Sequence, residues 1–362
     1  MPWNDPGVTE ANFLQESPIL IPAMTGGIKT LSLQRAGFLK ALRLWYSGAV
    51  NVSAFTGAPD KSPYGPLGGG INRIRVTANG QIPLVDLSGF GLQIYDEIQN
   101  RDGSTIFQPT THATLGLDAA TAMELYPAIG ATGDKIAGQT AELKFALPIL
   151  VQQRMVEMGL WLLQNQAIDT SLEVVFNPLY QAAANHNALY SGGTLTATML
   201  AANSFLKVER ELYSIPVDPK DFPPIAFAHQ IVEFDNPIGG STVEFQLPRA
   251  GLILRVAVMT LDASGHTVDI SDIANMRWIY GANETPIDRP GWAMLREYLT
   301  DYDRLPLKGL ALLDFYKWGW EGLKLVKNAE ATANLRLQTV YTSTTSGTQK
   351  IIVDRLVPVA SR

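Results

Sequence analysis

The chain has 362 residues, no cysteine and a formal net charge of −6. That length suits two ordinary domains, and the lack of cysteine excludes disulfide staples, thiolate nucleophiles and cysteine metal sites. The acidic balance leaves no basic footprint of the kind that displaces counterions from phosphates, so direct nucleic-acid binding is not expected.

The N-terminal arm, residues 1–27, carries Asp5, Glu10 and Glu16 as its only charges and lacks the basic and apolar regions of a secretory signal. No apolar run further on approaches the roughly 18 residues of a membrane span, since Arg255 and Asp314 with Lys317 break the best stretches. The chain therefore reads as soluble and made in a cytoplasm. After the glycine-rich "PAMTGG", residues 31–48 read "LSLQRAGFLKALRLWYSG". Leu42 and Leu44 alternate there with Ala41 and Arg43, the period of a half-buried strand. Residues 71–90, "INRIRVTANGQIPLVDLSGF", alternate at Ile74 and Val76 and contain Asn79-Gly80, a strong hairpin signal.

Residues 96–142 are rich in Gly, Thr, Ala and Pro without a sustained pattern. They predict a long surface loop with one short helix at 119–125, and such loops usually carry contacts or function. "GLWLLQNQAIDTSLEVVF" from Gly159 and "FLKVERELY" from Phe205 complete the first half. "YSIPVDPKDFPPIAF", residues 213–227, holds four prolines and two aspartates, which makes 216–227 a stiff interdomain linker.

The second half repeats these blocks in the same order. Arg35-Ala36-Gly37 lies on Arg249-Ala250-Gly251, preceded in each case by glycine-rich punctuation ("NPIGG" at 236–240 in the second copy), and Leu42 and Leu44 meet Val256 and Val258. Ile71, Arg75, Asp86 and Gly89 meet Ile273, Arg277, Asp288 and Gly291, an offset of 273 − 71 = 202. Gly159, Leu162 and Leu172 meet Gly322, Leu325 and Leu335, an offset of 322 − 159 = 163, and Val208 to Arg210 resembles Val353 to Arg355. The first copy thus carries 202 − 163 = 39 extra residues, assigned to the 96–142 loop. The expected organisation is an arm (1–27), a first β-domain (28–215), the linker (216–227) and a second β-domain with a C-terminal tail (228–362). Short strands between Gly, Pro and Asn-Gly turns predict an all-β chain of two tandem sandwiches, each large enough for an eight-stranded jelly roll, with the long loop inserted in the first.

Enzymatic chemistry finds little support. His112, His186, His229 and His266 stand singly, with neither His-x-His nor His-Glu-x-x-His spacing, so no metal or cofactor is expected. "PLGGGINRI" at 66–74 lacks the third glycine of a dinucleotide loop, "GATGDK" at 130–135 lacks phosphate-loop spacing, and "NRDGS" at 100–104 lacks the acidic series of a calcium loop. No Gly-x-Ser-x-Gly elbow occurs. Asp86 and Asp288, each beside a glycine, are expected to make turn hydrogen bonds. Trp161 and Trp278 fit core or sheet-face positions. In "YKWGWEG", Trp318 and Trp320 project to one side of a strand and are the candidate interface residues.

The segments "RAGFLKALRLWYSG" and "INRIRVTANGQIPLVDLSGFGL", their second-copy counterparts and the tandem architecture resemble the double jelly-roll major capsid proteins of tailless icosahedral double-stranded DNA phages and the adenovirus hexon lineage. The resemblance spans most of residues 22–358. It implies a non-enzymatic virion capsid protein, made and assembled in the host cytoplasm. Its partners are further copies of itself, first as a homotrimer forming a pseudo-hexameric capsomer and then as neighbouring capsomers of an icosahedral shell. Penton and minor capsid proteins are further partners, and an internal membrane beneath the shell is compatible with it. The 96–142 loop would then be a tower or an intercapsomer contact. Low charge, with 17% charged residues against 46% hydrophobic ones, suits a tile with large lateral interfaces. The rival readings are a bicupin-like or sugar-binding soluble double β-sandwich, and a trimeric virion spike.

Overall fold

The computed structural model describes residues 12–15, 19–20, 27–33, 37–56, 60–61, 71–80, 82–99, 141–152, 161–162, 169–176, 186–187, 190–191, 194–199, 205–213, 227–248, 251–263, 267–281, 284–302, 306–307, 309–315 and 335–358. The chain divides into two compact units, the first running to His229 and the second spanning Gln230–Ala360.

The first unit contains β1 (Asn12–Gln15), β2 (Ile19–Leu20), β3 (Gly27–Ser32), β4 (Phe38–Thr56), β5 (Asp60–Lys61), β6 (Ile71–Ala78) and β7 (Ile82–Leu87). The helix α1 (Gly89–Gln99) follows, then β8 (Ala141–Gln152), β9 (Trp161–Leu162), β10 (Thr170–Phe176), β11 (His186–Asn187), β12 (Tyr190–Ser191), β13 (Thr194–Met199) and β14 (Phe205–Tyr213). In one sheet, β4 pairs with β14 and β13 along one edge and with β8 and β9 along the other, while β1 and β2 of the arm add to β14. The other layer is the antiparallel set β7–β6–β10–β3. Between β6 and β7 both Asn79 and Gly80 adopt left-handed backbone, with φ of 52° and 65°, the geometry that an Asn-Gly hairpin requires. The strict alternation of β10, with Leu172, Val174 and Phe176 buried, aims one face of this layer into the core.

The second unit contains β15 (Phe227–Gln246), β16 (Leu252–Asp262), β17 (Ile273–Tyr280), β18 (Glu284–Arg289), the helix α2 (Gly291–Tyr302), β19 (Leu310–Asp314) and β20 (Leu335–Pro358). Strand β20 serves both layers. Its first part pairs with β17 from Leu335 to Tyr341, and its last part pairs with β16 from Gly347 to Leu356. Such sheet-switching strands make the corners of a sandwich, and Gly347 sits at this one, where a Cβ would lie 2.0 Å from the Leu261 carbonyl oxygen. Strands β16 and β17 bury Val256, Val258, Met276 and Trp278 against Met294, Phe315, Leu337 and Ile351 in one core. Trp278 meets Phe315 edge-on at 5.1 Å between ring centres, so Trp278 is a core residue.

The repeat is real at the level of strands, and the structure corrects its register. Strand starts agree with the offsets of the first two blocks: Phe38 with Leu252, Ile71 with Ile273, Ile82 with Glu284 and Gly89 with Gly291. The later blocks slip. Leu172 faces Val76 in the first unit, whereas Leu337 and not Leu335 faces the equivalent Trp278, so the third offset is 337 − 172 = 165. Val208 faces Leu44 while Ile351 faces Val258, so the fourth is 351 − 208 = 143. Both slips are of two residues, which preserves the face of every side chain and therefore leaves the apolar pattern unchanged. The excess of the first unit is thus spread over three connections, of 214 − 202 = 12, 202 − 165 = 37 and 165 − 143 = 22 residues.

Other expectations also change. Asp96 to Gln99 are helical and Ala141 and Glu142 open β8, so the 96–142 loop is shorter than its sequence limits; residues 100–140, with the expected helix at 119–125, lie outside the described residues. "NPIGG" is no turn: it runs inside β15, with Ile238 buried and Pro237 and Gly239 exposed in continuing alternation. The Asn236 amide donates to the Glu244 carbonyl and to Gln349 Oε1 at 2.9 Å. Strand β16 is buried on both faces rather than one. A helix after the second strand pair of each unit went unread. Gly291 opens α2 because it alone fits there: a Cβ would stand 2.0 Å from the Ile270 carbonyl oxygen.

Candidate assembly surfaces

Two polar arrangements and one end of the first unit distinguish the described residues. The first arrangement is a cross-strand ladder that recurs in both units. In the first, Asp86 on β7 lies opposite Arg75 on β6, which in turn lies opposite Glu173 on β10. Arg75 reaches Asp86 at 3.4 Å and Glu173 at 3.5 Å, and Arg73 grips both carboxylate oxygens of Asp86, one at 2.6 Å. In the second, Asp288 lies opposite Arg277, with contacts of 3.0 Å to Asp288 and 3.3 Å to Gln338. Gln338 and Arg336 both donate to Glu244 on β15, at 2.7 and 2.8 Å.

Asp86 and Asp288 therefore hold arginines across strands rather than capping turns. The glycines beside them in sequence begin the helices instead. Asp86→Ala is expected to destabilise the first unit by about 1–3 kcal/mol, since two arginines lose a nearly buried acceptor. Asp288→Ala should cost the more exposed second ladder under about 1 kcal/mol. Urea unfolding of the two variants measures both, and equal costs would contradict the assignment.

The second arrangement belongs to the second unit alone. Arg255 on β16 lies directly between Asp354 on β20 and Asp314 on β19. Arg255 and Asp354 are 2% and 0% exposed and form an ion pair at 3.3 Å. The Tyr302 hydroxyl donates to Asp314 Oδ2 at 2.5 Å, and Tyr302 stacks on Tyr298 at 4.4 Å. In the first unit the matching positions are Ala41, Glu211 and Gln152, and Glu211 pairs instead with Arg43 at 3.4 Å. Nearby, burial raises the Tyr341 pKa above its ordinary value, against hydrogen bonds with Thr260 and Gln349. Lys350 is raised as well: burial opposes its charge, but the carboxylates of Glu233 and Asp235 outweigh it.

Described strand ends that flank all three lengthened connections of the first unit lie at one end of it. The first leaves β4 at Thr56, and the second enters β8 at Ala141, opposite Val52 near that same terminus. The third leaves β10 at Phe176, opposite Ile71 where β6 begins, and returns through β13 alongside residues 50–56. Two of these connections also pair with each other, since β5 of the first joins β12 and β11 of the third in a small sheet.

Of the sequence candidates, Trp318 and Trp320 lie outside the described residues, as do His112, His266, 66–70, 100–104 and 130–135. His229 is buried, and His186 stands on β11. Among the described residues no group of three His, Asp or Glu side chains gathers as a metal site, and no described helix is long and apolar enough to cross a membrane. A shallow cleft between α2 and β19 is lined by Arg289, Glu297, Asp301 and Tyr302, with Arg289 and Glu297 paired at 2.8 Å.

No family model matches the sequence, and no curated protein matches it. Solved structures do. The STIV MCP superposes with a TM-score of 0.64 at 11% identity, over 97% of this chain and 98% of that one. The major capsid protein of bacteriophage PM2 gives 0.53 at 13% identity, over 97% and 98%. The Faustovirus major capsid protein gives 0.55 at 8% identity, over 97% and 91%. Two sandwiches in tandem, whose main strands recur in the same order and which these viral chains match along nearly the whole length, make this a double jelly-roll protein.

Proposed function

We propose that the chain is a viral major capsid protein, a non-enzymatic tile that trimerises into pseudo-hexameric capsomers and builds an icosahedral shell. The observation that carries this reading is the near-complete, two-sided coverage by capsid chains, which spans both units and the joint between them in sequence. The duplication supports it, because two similar sandwiches in one chain let a threefold object offer nearly sixfold edges. The clustering of long connections at one end of the first unit supports an outward, decorated end, with residues 100–140 as a tower or intercapsomer element. On this reading the chain resides in the virion capsid after synthesis and assembly in the host cytoplasm. Penton and minor capsid proteins are its further partners, with or without a membrane beneath the shell. Residues 216–226 serve as the linker, since Phe227 already opens β15, and Trp318 and Trp320 are contact residues.

Light scattering on the purified chain, with electron microscopy of the same fractions, tests this. The expected species has three times the chain mass of 39.4 kDa, with hexagonal outlines or shells. A monomer at every concentration would sink the proposal. A trimer that never tiles under any assembly condition would favour the spike reading.

A further inference from the structure

One strand is fastened differently in the two units. In the second, β15 runs unbroken from Phe227 to Gln246 beside β20, and side chains tie the two together. Arg355 donates to Gln230 at 2.8 Å, Lys350 reaches Asp235 at 2.7 Å, and Asn236 donates to Gln349 at 2.9 Å. In the first unit the same path is taken in pieces. The Leu33 N–H donates to the Thr170 carbonyl as the Leu247 N–H donates to the Leu335 carbonyl, each at 2.9 Å, which sets β3 on the end of β15. Upstream of that point, where β15 continues, the first unit has the separate strands β1 and β2. Strand β1 pairs with β14 from Asn12↔Leu212 to Gln15↔Glu209, and β2 pairs with it at Ile19↔Leu206 and Leu20↔Phe205. From Gln15 to Ile19 the arm takes four steps where β14 takes three, from Glu209 to Leu206. One arm residue therefore falls outside the ladder, as in a bulge, and Pro18, which has no N–H to give, lies within that stretch.

We propose that the outer edge of β14 is a strand-accepting surface, and that β1 with β2 forms a strap that leaves it while the rest of the first sandwich stays folded. The occupant is an extended segment with the sequence of Asn12–Leu20, either the chain's own arm or the same segment supplied separately. Two short ladders joined across an extra residue open locally at less cost than one continuous strand tied by side chains. Strand β14 does not need the arm to stay in place, because β4 pairs with its other edge from Phe205 to Tyr213. Once bared, the outer edge offers a row of backbone donors and acceptors to any strand of matching register. The extra residue helps to fix that register: without it Ile19 would fall opposite Phe205 rather than Leu206. The surface is defined by the first unit alone and does not depend on the tile reading.

Hydrogen exchange of the full chain, followed by mass spectrometry, tests the strap. Backbone amides of 12–20 are expected to exchange at least about tenfold faster than those of 230–240 in β15, while β4 stays protected. A labelled synthetic peptide of residues 10–21, added to the full chain, tests the accepting edge. It is expected to travel with the folded chain in gel filtration, and a scrambled peptide of the same composition is not. Arm amides as slow as those of β15 would overturn the strap. Fast arm exchange with no retained peptide, or equal retention of the scrambled one, would overturn the accepting edge.

Discussion

Asp354→Ala is expected to destabilise the second unit by about 3–5 kcal/mol, the cost of breaking a buried ion pair by removing one partner. Asp354 is fully buried, and its partner Arg255 is 2% exposed in the middle of a strand whose two faces are both covered. Arg255 cannot relax to water without breaking the pairing of β16 with both β19 and β20. Asp314 stands on the other side of Arg255 and accepts the Tyr302 hydroxyl on Oδ2, so after the substitution one flanking carboxylate remains where two stood. Arg255→Met/Asp354→Leu, which removes both charges and keeps volume, should recover most of the loss. Chemical unfolding followed by circular dichroism reads each variant. If Asp354→Ala proved as stable as the wild type, Arg255 would have to reach solvent in a way its burial denies.

Gly251→Ala is expected to prevent the second unit from folding, with a loss above about 4 kcal/mol. Two independent penalties add there. The backbone has φ of +90°, which side-chain-bearing residues rarely adopt. A Cβ would also fall 1.9 Å from the Leu356 carbonyl oxygen and 3.0 Å from the Val357 Cα, both main-chain atoms of a long paired strand. Gly239→Ala is the matched control: its Cβ would meet nothing within 4 Å, so its cost should stay near 0.5–1 kcal/mol or below, within roughly the range of ordinary surface changes. Soluble yield and protease resistance separate the two. Comparable behaviour of the two variants would refute the steric account. Gly37, at φ of 54° before β4, is the first-unit counterpart, which gives the glycine of the shared Arg-Ala-Gly tripeptide a physical cause.

That tripeptide shows what was legible in the sequence. Blocks tied to backbone geometry, such as the left-handed glycine or the Asn79-Gly80 hairpin, were placed to the residue. Blocks tied only to alternating apolar residues were placed on the right face but two residues out of register, because a pattern of period two cannot see a slip of two. The burial of Arg255 was not legible for a related reason. A charge amid aliphatic residues looks like the solvent side of a strand, and only the three-strand register reveals the aspartates on both sides of it. The helices were not legible because "GFGLQIYDEIQ" and "GWAMLREYLTDY" are short and open on glycine, a poor helix former. Here the turn before α2 demands that glycine for closeness. For α1, Ser88 just ahead of the helix does accept from the Gly91 backbone N–H at 2.9 Å, a start signal that the sequence reading passed over.

The gathering of the long connections at one end of a single unit has a consequence for how such an object is counted. On the proposed tile reading, three chains would contribute six sandwiches but only three elaborated ends, so one repeat would supply a sixfold and a threefold feature at once. Insertions at the elaborated end would then vary without altering the strands that the two units share.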